Sequence, residues 1–133
     1  PTMTAIPDAY DDLFERETLA HFATVLPDGA PHVVPVWIDR DDDHLLVNTV
    51  RGTRKERNLR QDRRVALSLV DPDDPTRFLT VRGEVVEATE EGAVEHVDDL
   101  ARRYMGVEEY PRLDQESAPR VLLRICPDEV TTD

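Results

Sequence analysis

Short apolar-rich runs bounded by polar turn residues occupy the first half of the chain and predict β-strands. Strand patterns cover residues 19–26 (LAHFATVL), 32–39 (HVVPVWID) and 44–49 (HLLVNT), and PDGAP at 27–31 has the Asp-Gly chemistry of a hairpin turn. Short connections join these strands, so we expect an antiparallel meander. Pro35 removes one backbone donor from the second strand, which predicts a sheet edge, a bulge or a ligand at that point.

The remaining segments predict three further strands and three short helices. Gly83 lies inside a long strand pattern, which indicates a bulge or bend. The predicted elements are a helix over 7–17, an acidic turn over 40–43, a helix over 54–62 begun by Thr53, strands over 63–71, 77–88 and 120–130, and a helix capped by Thr89 and ended by Gly106.

Together these elements predict one domain, residues 1–133, with a mainly β fold. Six antiparallel strands with short helices between them favour a small barrel, because closure removes exposed sheet edges. Within it we expect the N-terminal helix in 1–17, the main barrel strands in 19–88, a helix over 89–105 and the closing strand over 120–130.

The net charge of the chain limits the kinds of partner that it can bind. With 29 acidic against 16 basic residues and a net charge of −13, the protein resembles those of salt-loving archaea in composition. This acidity disfavours broad contact with nucleic acid or anionic membranes. No signal peptide and no apolar run of spanning length is recognisable, so we expect a cytoplasmic protein. The one cysteine, Cys126, stands in an apolar strand and is predicted to be buried.

Residues 48–64 (NTVRGTRKERNLRQDRR) form a basic island in this acidic chain. They hold seven cationic residues against two acids, including Lys55, which is the only lysine. Arginine forks and a lysine charge suit phosphate, so an anionic partner is one interpretation. A solvated helix face paired with neighbouring acids, or a docking patch for an acidic protein, are the others.

Conventional catalytic constellations are scarce. The histidines His21, His32, His44 and His96 stand singly and are interpreted as structural residues. No glycine-rich phosphate loop and no nucleophile elbow occurs. An enzyme built from this sequence would therefore rely on a cofactor for its chemistry.

Residues 23–71 resemble the pyridoxamine 5′-phosphate oxidase-like split-barrel superfamily, in particular its branch of flavin- and deazaflavin (F420)-dependent oxidoreductases. The shared motifs are ATxxxDGxPxxxPVW, the NT strand end, TRKxRNL and RVALS, in that order. The resemblance implies a six-stranded antiparallel split barrel of the FMN-binding type. It also implies hydride transfer between F420 or FMN and a small organic substrate. A non-catalytic protein that stores or senses flavin is the alternative.

The resemblance also implies a set of cofactor-binding residues. Arg54 and Lys55 match the cationic pair that clamps the cofactor phosphate, with hydroxyl donors at Thr49 and Thr53. Asn58 has a second interpretation, as a tie between helix and barrel, and Trp37 has one as core packing. The complete set implied to bind the cofactor is Pro35, Val36, Trp37, Asn48, Thr49, Thr53, Arg54, Lys55, Arg57, Asn58 and Arg60.

Positive charge beyond the phosphate pair bears on the choice of cofactor. F420 carries a tail of several carboxylates, and Arg57, Arg60 and Arg64 recur on one helix face with Arg63 nearby, which favours F420 over FMN. The resemblance further implies a homodimer with the cofactor at the subunit interface. We expect residues 104–120 to reach the partner's site. An Arg-rich substrate signature of the vitamin B6 oxidases is absent around CPDEVTTD, so that activity is not expected.

Overall fold

The protein folds around one antiparallel sheet, seen in a computed structural model that describes residues 3–133; the first two residues of the predicted N-terminal segment lie outside the described part. Within that range, seven strands run in the order β2-β1-β5-β6-β7-β4-β3. Their bounds are β1 Leu19–Val25, β2 Pro31–Trp37, β3 Asp39–Asp41, β4 His44–Val50, β5 Arg64–Asp71, β6 Asp74–Thr89 and β7 Arg120–Thr132. The mainly β, antiparallel split-barrel prediction is therefore confirmed, with one more strand than expected.

The additional strand, β3, corrects the acidic turn predicted over residues 40–43. Arg40 pairs with Leu45 and Asp41 pairs with His44, so only two residues remain for the turn itself. Asp42 adopts a left-handed conformation with φ of 54°, which aspartate tolerates better than most residues. The three consecutive aspartates at 41–43 therefore belong to a tight hairpin.

The sheet does not close on itself, so the predicted removal of both edges is wrong. Among the described strands, β2 ends one side and β3 ends the other. Pro35 lies on edge strand β2, opposite His21 of β1, where its missing N–H removes no hydrogen bond from an inner ladder. The proline therefore indicates the edge of the sheet, as one of its three interpretations predicted.

Strands β6 and β7 form the long central pair, and Gly83 marks a break in their register. The pairing shifts between Arg82 and Gly83, where the backbones approach closely. A β-carbon at Gly83 would overlap with the carbonyl oxygen of Cys126, so no larger residue fits without a backbone shift. This confirms the predicted bulge. Cys126 itself is buried, as predicted.

The described residues also form two α-helices and two 3-10 segments, with the bounds α1 Arg54–Gln61, α2 Ala93–Met105, and Asp8–Phe14 and Leu113–Gln115 for the 3-10 segments. The prediction that Thr89 caps the second helix is wrong, because Thr89 still pairs with Leu122 in the sheet and Gly92 is the residue before α2. Gly106 does end that helix. No helix among residues 3–133 is long and apolar enough to cross a membrane.

An ion-pair cluster fixes the N-terminal 3-10 segment to the sheet. Arg77 donates to Asp71 at 2.8 Å and to Asp12 at 2.7 Å, and Arg16 joins the same two carboxylates. The backbone N–H of Asp73 and the Arg77 guanidinium hold the pKa of Asp71 at about 2. This cluster accounts for part of the acidic surface and lies away from the pocket described next.

Candidate functional site

A pocket of about 440 Å³ opens between the edge strand β2, the end of β4 and the start of α1. Segments from α2 to the beginning of β7 form its far wall. The lining residues are Leu19, Pro35, Val36, Trp37, Asn48, Thr49, Val50, Thr53, Lys55, Val97, Leu100, Met105, Tyr110, Arg112 and Arg120.

The floor of the pocket is the turn that connects β4 to α1. Gly52 breaks the strand with φ of 89°, a left-handed conformation that favours glycine. The Thr53 hydroxyl donates to Val50 O at 2.9 Å and lies 3.3 Å from the Thr49 hydroxyl. Because the Thr53 side chain does not cap α1, the first backbone N–H groups of the helix keep no side-chain acceptor there. The helix start therefore presents donors and the positive end of its dipole.

Lys55 is a cation without a counter-ion in this wall. Its half-buried side chain forms no hydrogen bond and no ion pair with any residue of the described range 3–133. Burial, and secondarily the nearby Arg120 guanidinium, lower the pKa of Lys55. An anion bound here would offset both effects.

The charge of the pocket is opposite to that of the chain. Three cations, Lys55, Arg112 and Arg120, line it, whereas no Asp or Glu of the described residues does. Arg112 forms no ion pair within the same range, and Arg120 is paired with Glu116. In a chain with 29 acids, this arrangement favours an anionic ligand.

An aromatic cluster forms the side of the pocket next to β2. The rings of Trp37 and Tyr104 stack with centroids 5.0 Å apart and planes 7° apart, and Tyr110 meets Trp37 edge-on at 6.1 Å. The Tyr104 hydroxyl donates to Thr18 O and accepts from the N–H of Ile38 at 3.1 Å. These bonds hold Trp37 in place at the end of the edge strand, so the wall is preformed.

Seven of the eleven sequence-predicted residues line this pocket, and four do not. Asn58 is buried and donates to Thr24 at 2.9 Å, which supports its interpretation as a tie between helix and barrel. Arg54 donates to Asn58 at 2.9 Å, and Arg57 is exposed on the helix surface. The four residues outside the lining are Arg54, Arg57, Asn58 and Arg60.

Most cations of the second half of the basic island already have partners. Arg60 donates to the buried Glu56, which also accepts from the N–H of Gly52 at 2.8 Å, and these contacts lower the pKa of Glu56 to about 2. Arg64 pairs with Asp62, and Arg63 donates to a backbone carbonyl. Within residues 3–133, Arg60 and Arg64 of the island are thus paired with carboxylates, whereas the half-buried Lys55 and the exposed Arg57 form no ion pair.

Sequence reasoning missed the far wall of the pocket. Four residues of the segment 104–120, namely Met105, Tyr110, Arg112 and Arg120, line the pocket of their own chain. The expectation that this segment reaches a partner's site stays a prediction. Arg120 lies over the Tyr110 ring at 4.6 Å, which is a cation–π contact. The sequence signal for this wall is Tyr110 with Arg112 and Arg120, an aromatic residue and two arginines in an otherwise acidic stretch that leads into β7.

Comparisons with known proteins identify the family and the fold of this chain. The family model described as pyridoxamine 5′-phosphate oxidase matches residues 6–132. A structure named F420 reductase is 34% identical, with a TM-score of 0.83, over 95% of this chain and 98% of that one. A conserved hypothetical protein from Mycobacterium tuberculosis is 27% identical, with a TM-score of 0.76, over 98% and 85%. No protein of curated function matches the sequence significantly.

A mainly β, antiparallel split barrel thus defines the class of this protein. The chain belongs to the pyridoxamine 5′-phosphate oxidase family, because that family model spans nearly its whole length. General stress protein 26 from Bacillus anthracis, at 20% identity and a TM-score of 0.66 over 91% of this chain and 88% of that one, shares the fold.

Proposed function

We propose that the protein is an oxidoreductase that binds a phosphate-bearing flavin or deazaflavin in this pocket. The observation that carries the proposal is the unpaired Lys55 in a pocket with three cations and no acidic side chain among the described residues. In the proposed complex, Lys55 and the N–H groups at the start of α1 hold the phosphate, assisted by Thr49 and Thr53.

The ring system of the cofactor is proposed to lie along β2. Pro35, Val36 and Trp37 present an apolar surface with one large aromatic ring, which suits a planar tricyclic ring. Asn48 supplies an amide to the same pocket. The bound cofactor would supply hydride transfer, so the residues of this chain need only bind it, orient it and exclude water.

We propose F420 rather than FMN as the preferred cofactor. The similarity to a structure named F420 reductase supports this choice. Arg112, which lines the pocket without an ion pair among the described residues, offers positive charge beyond what one phosphate requires. Arg60 and Arg64 were expected to bind the carboxylate tail of F420, but their charges are matched by Glu56 and Asp62. The proposal therefore assigns that role to Arg112.

Titration of the purified protein with F420 and with FMN, at matched high salt, tests the proposal. Fluorescence polarisation measures the binding. We expect both cofactors to bind and F420 to bind more tightly. Each complex is then reduced, and reoxidation is measured with and without candidate small organic substrates. Failure to bind either cofactor would contradict the proposal. Binding without any turnover would instead support a storage or sensing protein.

We further propose that two copies of the chain assemble on the outer face of β1 and β2. Leu19 and Val33 are 48% and 58% exposed, and they share this face with Ala23 and Pro35. No acidic residue accompanies these four positions, although the chain is acidic elsewhere. Leu19 and Pro35 also line the pocket, so a second copy seated here would lie beside the cofactor.

The oligomeric state tests this surface directly. Light scattering at high salt is expected to give a dimer for the wild type and a monomer for Val33→Glu, because the introduced carboxylate would be desolvated. Val94→Glu is the matched control, since Val94 is also exposed but lies on α2. A wild-type monomer, or equal dissociation of both variants, would contradict the proposed surface.

A further inference from the structure

Asn48, His96 and Asp39 form a hydrogen-bonded chain that starts in the pocket wall and ends beneath α2. The Asn48 amide nitrogen Nδ2 donates to Ala93 O at 2.8 Å and to His96 Nδ1 at 3.1 Å. On the other side of the ring, His96 Nε2 lies 3.0 Å from Oδ2 of Asp39. The His96 side chain is only 10% exposed, so solvent does not compete for these contacts.

These partners determine which ring nitrogen of His96 carries the proton. Nδ1 faces the donor group of Asn48 and must accept, whereas Nε2 faces a carboxylate and donates. The charge of Asp39 is matched by Arg103, whose Nη2 lies 3.0 Å from Oδ1. Burial raises the pKa of Asp39, but hydrogen bonds from His96 and Arg103 lower it by more. The guanidinium of Arg103 therefore balances the charge of the Asp39 carboxylate.

The same arrangement fixes the amide of Asn48 in one orientation. With Nδ2 turned toward Ala93 and His96, Oδ1 faces Arg120, whose Nη1 donates to it at 3.3 Å. Both oxygens of Glu116 hold the other edge of the Arg120 guanidinium, at 3.0 and 2.5 Å. Arg120 is therefore fixed at three points, with its ring-stacked charge in the pocket wall.

The charged groups around His96 come from three elements. Asp39 belongs to β3, Arg103 to α2 and Arg120 to β7. Arg120 reaches His96 only through Asn48. Arg120 also lies close enough to Lys55 to lower the pKa of that lysine. A change at His96 thus has a path of hydrogen bonds, through Asn48, to Arg120 in the pocket wall.

We infer that His96 is a positioning residue, which in its neutral form orients the Asn48 amide and thereby Arg120 for anion binding. The inference depends on the proposed function only for the identity of the anion. A proton added at Nδ1 of His96 would face the Asn48 amide group and force the amide to reverse. The reversed amide would direct its oxygen at Ala93 O and its nitrogen at the Arg120 guanidinium. Both contacts are repulsive, so anion affinity falls when His96 is protonated.

His96→Gln is the variant that separates this role from a merely structural one. The oxygen and nitrogen of a glutamine amide reproduce the acceptor and donor of neutral imidazole, but they do not titrate. We expect His96→Gln to bind F420 and FMN as the wild type does at pH 8. Between pH 8 and pH 5 the wild type should lose about five- to tenfold in affinity relative to His96→Gln, the scale of one hydrogen bond. Titration of the cofactor phosphate affects both proteins equally and cancels in this ratio.

Nitrogen chemical shifts of the His96 ring, measured by NMR on the wild type at pH 8, provide a test that needs no ligand. The expected result is the tautomer with the proton on Nε2. A proton on Nδ1, or equal pH profiles of the wild type and His96→Gln, would overturn the inference. If neither cofactor binds the wild type, the proposed function fails, whereas the NMR result still decides the state of His96.

Discussion

Replacing Lys55 by methionine is expected to weaken cofactor binding about 10- to 150-fold, which corresponds to about 1.5–3 kcal/mol for one hydrogen bond to a charged group. Methionine keeps the apolar stem of the side chain and removes only the charge. The effect should be large because Lys55 has no other partner among residues 3–133, so its interaction with the phosphate is not shared with a protein carboxylate. Isothermal titration or fluorescence titration with F420 and FMN measures the loss.

Arg57→Met is the matched control for this experiment. It removes the same charge from the same helix, but Arg57 is exposed and does not line the pocket. At high salt the long-range attraction of an exposed charge is screened, so the loss of affinity should stay below about threefold. If Arg57→Met and Lys55→Met weaken binding equally, the affinity comes from general electrostatic attraction and not from a defined phosphate contact. That result would contradict the proposed role of Lys55 as a phosphate ligand.

Replacing Gly83 by alanine is expected to destabilise the fold by about 2–4 kcal/mol, at the upper end of overpacking effects. The added methyl group would overlap with the carbonyl oxygen of Cys126 and lie 3.1 Å from the α-carbon of Pro127. Both obstacles are backbone atoms, and the pairing of β6 with β7 on either side of the bulge restrains them. Relief therefore requires a shift of the central strand pair.

Urea unfolding at constant high salt measures this change, since the net charge of −13 makes stability depend on ionic strength. Val86→Ala is the control on the same strand. Val86 is 46% exposed, so its truncation should cost less than about 1 kcal/mol. A Gly83→Ala variant within 1 kcal/mol of the wild type would show that the β6–β7 bulge is not constrained in the way described.

The strands and turns were predictable because their signals are local. The signals are the apolar-rich runs LAHFATV and HLLVNTV, the Asp28-Gly29 turn and the Gly52 break, and each lies within a few residues of the element it specifies. The hidden strand β3 was not predictable in this way. Its three residues are charged, and only pairing with β4 makes them extended.

The candidate site likewise contains one part that was predictable from local sequence and one part that depends on tertiary contacts. Lys55 at the start of α1 follows from the basic island and the strand end before it, so its position needed no tertiary information. The state of the neighbouring cations did need it. Arg57 points away from the pocket although it shares the motif, and Arg120 faces Lys55 across the pocket although many residues separate them.

By itself, the sequence determined the antiparallel strands, the family motifs and the helix start that presents Lys55, because each depends on residues within one or two elements. Only the tertiary structure decided that residues 105–120 form the far wall, that His96 contacts Asn48 and that the sheet stays open. The physical reason is that periodicity specifies which face of an element is apolar, but not which distant segment packs against it. Whether a given cation keeps a free charge therefore depends on contacts that no local pattern encodes.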